Sequence, residues 1–514
     1  MTPNKKIDFN SVLTIANLLV AGFLVLGFAQ TWGNEYVDQQ TLVLGIVLSV
    51  ETHIALWLER QRRDPFIVLL SFSMIFYYSL RILTLSVYSF SVVFGRYSYT
   101  SADSNYALTF IIVANLFLYV GFYLGRSNSN LAIDTAHWKS KSPTRIIFLI
   151  LVAVIFAYFS GSYWNGDNVP RVFNFLTIFV SQDVVLLMAM AYYLVFRRSL
   201  TKRVRFLILV MIVFDIVVHT LLGSRSGIVD TARNYIFIAL TIGGCLQVSR
   251  KYFLLGCVFL PVLLALLVGS FAISTYNRAF RSEGSFNVSQ AFNLAIESSS
   301  ELSTESTLDK VIPLIAARAG YFDFAAEIIA HRDEYASLLN LQSYAKSIVD
   351  NVLTPGFDIY DQPKISNALQ FIYNGMGSPS KIQANETYQS DQLGIYGEFY
   401  ALFGYSSLPL FILTGFLVRR VYGRMRSENP FILTMKRVIV LWIFVRTLDS
   451  FGFDWTILDI LSRVAAIYMY QFCFRSKKVS DDEPRARVDG LGPIIKPFDA
   501  PPIAVAAARN VGAP

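Results

Sequence analysis

The chain has 514 residues, 54% of them hydrophobic and 16% charged, with a mean hydropathy of +0.48 and a net charge of +8. That is far more apolar surface than a soluble domain can cover, so the chain reads as an all-α polytopic membrane protein with little room for soluble catalytic domains. Its basic residues are divided among many short connections, which excludes a nucleic-acid face.

Apolar runs of about 18 residues or more can cross roughly 30 Å of hydrocarbon. They predict about twelve spans: 11–31, 41–58, 65–87, 106–125, 145–160, 174–196, 205–222, 229–248, 252–274, 395–418, 431–448 and 455–474. The first is long and lacks a small-residue cleavage site, so it is read as a span and not a cleaved leader. The eighth opens with Asp230 and Arg233. The tenth is the plainest, because Phe399 to Val418 contains no charge.

The segments NKK, ERQRRD, Arg126 to Arg145, RRSLTKRVR, SRK, RRVYGRMRS with MKR, and RSKK all fall on one side of these spans. Basic residues in short loops are retained in the cytoplasm, so both termini are expected there. TWGNEYVDQQ and SGSYWNGDNVP, on the other side, are poor in Lys and Arg. Cys245, Cys257 and Cys473 fall near cytoplasmic span ends, which leaves no disulfide framework outside.

The resulting organisation is a membrane domain over 1–274, one large extracytoplasmic helical loop over 275–394, a second membrane portion over 395–475, and a disordered cytoplasmic tail over 476–514. Within the loop, SQAFNLAIESSS, VIPLIAARAGYFDFAAEIIAHRDEY and LQSYAKSIVDNVL carry apolar residues at helical spacing, and Pro355 with Gly356 ends the last of them. They predict a small helical cap resting on the membrane domain, followed by an irregular arm from Thr354 to Thr387. The cytoplasmic loops are too short for a nucleotide-sugar-binding, ATPase or kinase domain, and no P-loop occurs. Substrate must come from the membrane or the outer compartment.

Arginines gather on the outer side. Arg225 and Arg233 lie at the outer ends of spans seven and eight, Arg278 and Arg281 just after span nine, Arg318 on a cap helix, and Arg446 at the outer end of span eleven. A planar guanidinium holds phosphate oxygens through two parallel hydrogen bonds, so the set suits a phosphate or pyrophosphate. Snorkelling to lipid headgroups accounts for any one of them, but less well for several on the side that normally excludes basic residues. Arg81 and Arg463 fall inside spans; Asp459 lies one turn before Arg463, and Asp183 or Asp215 can pair with Arg81.

His53, His137, His219 and His331 lack the close spacing of a metal site, and no DxD pair lies outside the membrane, so no metal or other cofactor is expected. His219 reads as a packing residue at a helix end. Asp323 and Glu327 share a helix face, which a solvated amphipathic helix explains as well as catalysis does. Glu398 stands where the loop meets an apolar span, and partial desolvation there suits an acid for proton transfer. His331 is the second candidate base.

GSRSGIVDTARNYIFIAL after an apolar span, the long outer loop, and GIYGEFYALFGYSSLPLFILTGFLV resemble the Wzy-type oligosaccharide repeat-unit polymerases of bacterial surface polysaccharides such as O-antigen. The resemblance covers the architecture, while its motifs are short; in TPGFDIYDQPK the Lys-Pro order of some members is reversed as Pro363-Lys364. It implies a glycosyltransferase of GT-C-like architecture in the bacterial inner membrane. The donor would be an undecaprenyl-pyrophosphate-linked oligosaccharide, and the growing chain would pass en bloc to a new lipid-linked repeat unit, without metal. A flippase and a chain-length regulator are the implied partners besides membrane lipid. On this reading Arg225, Arg278, Arg281 and Arg318 hold the pyrophosphate, with Arg233 and Arg446 beside them, while Glu398, His331 or Asp323 takes the acceptor proton. An O-antigen ligase and a lipid-linked oligosaccharide flippase are the alternatives; a flippase should show internal repeats, and none stands out.

Overall fold

The computed structural model describes residues 6–59, 64–89, 99–126, 138–140, 143–159, 182–221, 227–243, 247–249, 320–353, 359–373, 393–450, 453–470 and 476–478, with a few isolated positions besides. Among the described residues, five segments are long and apolar enough to cross a membrane, namely Phe9–Ala29, Gln39–Glu59, Pro65–Tyr88, Ser101–Leu124 and Gly394–Arg424. The protein is thus a helical, multi-pass membrane protein.

Helices α1 (Phe9–Ala29) and α2 (Gln39–Glu59) pack side by side. The third rod has three parts: α3 (Pro65–Ser73), a π-helical turn (Met74–Ser79) and α4 (Leu80–Tyr88). Asp64 starts it by accepting a hydrogen bond from the Phe66 N–H, and Pro65 occupies a first-turn position where no N–H is needed. Helix α5 (Ser101–Leu124) opens with a capping box between Thr100 and Asp103. α6 (Pro143–Phe159), α7 (Gln182–Phe196), α8 (Lys202–Leu221) and α9 (Gly227–Gly243) fall at spans five to eight. Span nine lies outside the described residues.

The loop contributes α10 (Tyr321–Ala330), α11 (Arg332–Tyr335), α12 (Leu341–Ile348) and α13 (Ile365–Tyr373). α13 corrects the expected irregular arm. Ile365, Ala368, Leu369 and Ile372 repeat at helical spacing and are buried, a short stripe obscured by the Pro and Gly residues around it. A second correction concerns the cap, because α10 does not rest on the surface. Phe322, Asp323, Ala325, Ala326, Glu327, Ile328 and Ile329 are all buried, and α10 packs against α5 and the π-helical turn.

The tenth predicted span is not one rod. α14 (Gly394–Phe403) is followed by a 3₁₀ turn (Gly404–Ser407) and α15 (Leu408–Arg424). In a continuous helix Tyr396 and Phe411 would stand about 22 Å apart at 1.5 Å per residue. Their rings lie 5.5 Å apart, and Phe399 lies 5.2 Å from the same Phe411 ring. Along α5, Tyr400 meets Tyr106 while Tyr396 reaches Asn115 further down, so α14 runs antiparallel to α5 and α15 turns back beside it. Gly404 permits the reversal with φ +58° and ψ −141°, a region essentially closed to other residues. Gly404, Ser406, Ser407 and Pro409 mark the turn, but hydropathy averages them into one apolar run and reads a single crossing. α16 (Pro430–Ser450) and α17 (Phe453–Tyr470) complete the bundle.

α15 lies so close to α5 that a Cβ added to Gly121 would sit 2.3 Å from the Ile412 carbonyl oxygen, and one added to Gly415 would sit 2.6 Å from that of Leu118. Small residues let the two backbones touch.

Two short antiparallel pairs tie basic connections together. β1 (Lys6–Asp8) pairs with β3 (Gln247–Ser249), and β2 (Trp138–Ser140) with β4 (Ser476–Lys478). β4 moves the start of the expected disordered tail beyond Lys478. All four strands come from connections that charge assigns to one side, and each pairing requires its two members to share a side. Ion pairs cross the nearby helix ends: Glu59 meets the partly exposed Arg126, and, fully buried, Arg419 Nε lies 2.6 Å from Asp64 Oδ2. This is the basic end of the bundle.

Candidate functional site

At the opposite end, α10 is pinned among the spans by charge. Arg81, on the first turn of α4, donates from Nε to Asp323 Oδ1 at 2.9 Å and from Nη2 to Oδ2 at 2.7 Å, with the two side chains 1% and 0% exposed. Arg81 therefore has a partner in the 275–394 loop, while the side chains of Asp183 and Asp215, its expected partners, lie outside the described residues. Both Asp323 oxygens are held by the guanidinium, which suits a tether and not a proton acceptor. Aromatic rings close around this joint. Tyr77 of the π-helical turn meets Tyr321 edge-on at 4.8 Å, Tyr99 meets Phe322, and Tyr36 meets Tyr99 at 5.2 Å. Burial, a hydrogen bond with Glu35, and the charges of Glu35 and Asp323 together push the Tyr36 phenol up.

One turn along α10 lies Glu327, also with no exposure. The Tyr335 hydroxyl donates to its Oε1 at 3.1 Å, while Oε2 accepts no hydrogen bond from any described residue. Burial pushes its carboxyl up to about 7; the charges of Asp103 and Glu334 add to the rise, and His331 and the Tyr335 hydroxyl oppose it. A helix with both carboxylates buried is not the solvated amphipathic helix that explained Asp323 and Glu327 equally well. His331 ends α10, its N–H bonding the Glu327 carbonyl at 2.9 Å, and its Nδ1 stands 3.6 Å from Glu334 Oε1. Arg332 Nε donates to the Ala401 carbonyl at 3.0 Å, joining the end of α10 to the end of α14.

Glu398 is buried on α14, 2% exposed, as its place in the sequence suggested. Its helix packs along α10, where a Cβ on Gly397 would lie 3.8 Å from Ala325 Cα. The structure therefore brings Asp323, His331 and Glu398 onto two adjoining helices, with Glu327 and Arg332 among them.

Arg446 is placed elsewhere. Phe444, two residues before it, stacks edge-on with Phe66 at 5.3 Å and Phe122 at 5.4 Å, and these lie at the basic ends of α3 and α5. Arg446, although it lies four residues from the end of a helix that starts at Pro430 as hydropathy suggests, thus stands nearer the basic ends of α3 and α5 than expected. It stands over Trp442 at 5.8 Å, and Arg463 covers the same indole at 3.7 Å, a cation–π stack, while the side chain of Asp459, its expected partner, lies outside the described residues. Arg233 is half-buried on α9, which packs against α16. Arg225, Arg278, Arg281 and Arg318 lie outside the described residues.

Sequence reading underweighted Glu327 and passed over Arg332 and Tyr335. The available signal for Glu327 was its spacing: Phe324, Ile328 and Ala325 surround it on a helix too apolar to be solvated. Compared with known proteins, the chain matches no family model, no curated protein and no solved structure.

Proposed function

We propose that this protein is a metal-independent glycosyltransferase of about twelve spans, polymerising lipid-linked oligosaccharide repeat units at the outer face of a bacterial inner membrane, with both termini cytoplasmic. The basic end, with its strand pairs, faces the cytoplasm, and the α10–α14 site faces outward. Glu327 carries the reading. It is a buried carboxyl poised near neutrality with one oxygen open, the property required of a base that takes a proton from a sugar hydroxyl. The acceptor oxygen then bonds to the anomeric carbon of the donor, whose bond to the polyprenyl pyrophosphate breaks, and the pyrophosphate leaves with the electron pair. Cations stabilise that charge as it grows, the role assigned to Arg225, Arg278, Arg281 and Arg318. Glu398 supports the same site from α14.

The test is reconstitution of the purified protein in lipid with synthetic undecaprenyl-pyrophosphate-linked repeat unit and a chelator. Polymer ladders and released undecaprenyl pyrophosphate are the expected products, with both lost in Glu327→Gln. Transfer only to an added lipid A core would instead make it a ligase. Movement of intact substrate between leaflets without bond cleavage would make it a flippase.

A further inference from the structure

α2 carries an acid in the middle of a spanning helix. Glu51 is 12 residues from Gln39 and 8 from Glu59, or about 18 and 12 Å along the axis at 1.5 Å per residue. Both carboxyl oxygens are closed off from the surface, and neither accepts a hydrogen bond from a described residue. The buried oxygens of Ser71 and Ser73 on α3 and of Tyr119 on α5 are in the same condition, and Ser71 lies within reach of the Tyr119 hydroxyl. The charge of Glu51 acts on Tyr119 and on Tyr396 of α14.

Among the described residues nothing neutralises this carboxylate. α1 and α3 carry no titratable side chain. The π-helical turn offers Tyr77 and Tyr78, and α4 offers Tyr88 and Arg81, the latter held by Asp323. α5 offers Tyr119 at this level, and on α2 itself stand His53 and Glu59, the latter paired with Arg126. No cationic side chain among the described residues acts on Glu51.

An isolated carboxylate in such a place avoids its desolvation penalty by taking up a proton. The proton also gives the carboxyl a donor, which the acceptor-rich cluster otherwise lacks. We infer that Glu51 is a proton-binding site built into the membrane domain, formed with the hydroxyls of Tyr119 and Ser71 and bordering Tyr396 on the helix that carries Glu398. Intramembrane ionisable groups are costly enough that their presence points to use. A proton on Glu51 removes a negative charge from behind Tyr396, so the packing of α14 responds to its occupancy. The inference is independent of which lipid-linked substrate the outer site takes.

Dicyclohexylcarbodiimide partitions into bilayers and couples to carboxyls in their protonated form. The full-length protein in phosphatidylcholine nanodiscs, labelled at neutral pH and mapped by peptide mass, should carry an adduct on Glu51. On the alkaline side of its midpoint, the yield should fall about tenfold per pH unit. Exchanging choline chloride for sodium chloride should leave the yield unchanged. An unlabelled Glu51 at neutral pH overturns the proposal, and protection by sodium overturns it in favour of a metal-cation site. Glu51→Gln, the neutral isostere, should fold and lose only this adduct; the wild-type map decides the matter even if that variant fails to fold.

Discussion

Arg81 and Asp323 meet through two parallel hydrogen bonds, neither side chain reaching the surface, and they join a membrane-spanning rod to a helix of the 275–394 loop. The pair fixes where α10 sits, and therefore where Glu327 sits one turn later. Removing one partner leaves the other as an uncompensated buried charge, which costs about 3–5 kcal/mol. Arg81→Ala and Asp323→Asn should each lower the unfolding temperature in detergent and expose the 275–394 loop to protease. The double replacement Arg81→Met with Asp323→Leu should recover much of the loss. If the single variants unfold like wild type, the pair does not hold α10.

Glu327 makes stability and activity depend on pH in opposite directions. Its folded-state pKa of about 7 lies above the ordinary value of 4.5, so the neutral form is favoured by folding. The stability it contributes is complete below pH 4.5 and is lost as the pH rises through about 7, an amount on the order of 3 kcal/mol. Glu327→Gln should flatten that part of the profile. Activity should instead rise through pH 7 as the base loses its proton, and the Gln variant should lose about 10² to 10⁴ in rate. A Gln variant that polymerises normally removes Glu327 from the chemistry.

Gly121 and Gly404 test the two devices that shape α15. Gly121→Val forces the α5 and α15 backbones apart, since even a Cβ would come within 2.3 Å of the Ile412 oxygen. Overpacking of this kind costs about 1–3 kcal/mol. Gly404→Ala is strained by its φ of +58° and brings a Cβ to 3.3 Å from Arg332 Nη1, with a cost of about 1–3 kcal/mol. Thermal unfolding in nanodiscs measures both. A neutral Gly404→Ala would show that the turn can be made without the Gly-only conformation.

Much of the architecture was legible because hydrocarbon imposes a length rule that sequence must obey. The first four spans follow their hydropathy closely, and the common side that charge assigns to the connections agrees with the strand pairs Lys6–Asp8 with Gln247–Ser249 and Trp138–Ser140 with Ser476–Lys478, which the sequence did not announce. Hydropathy does not carry direction, however, and so the reversal at Gly404 read as one crossing. It does not carry helix offset either, which is why Arg446 lies nearer the basic ends of α3 and α5 than expected. At the site, Asp323 and Glu398 stood out by type and position, but their partners are remote in sequence. Arg81 lies 242 residues from Asp323, and only tertiary packing reveals that the pair occupies both oxygens of one carboxylate and leaves Glu327 with an open oxygen. Glu51 was hidden by its apolar neighbours, since a single acid barely changes the mean hydropathy of a span.

The hairpin and the strand pairs together predict a sidedness that labelling from each face can measure. With Cys245, Cys257 and Cys473 replaced by serine, single cysteines at Ser249 and Ser476 should react with a membrane-impermeant maleimide from the cytoplasmic side alone. Tyr405, 45% exposed in the turn between α14 and α15, should as cysteine react from the outer side alone. A continuous Gly394–Arg424 rod would place position 405 about 17 Å from one end and 29 Å from the other, inside the hydrocarbon, where the reagent does not reach. Outer labelling at 405 therefore separates the re-entrant arrangement from a simple crossing. Silence there, with normal labelling at 249 and 476, would restore the single span and undo the packing of α14 along α10 that brings Glu398 to the site.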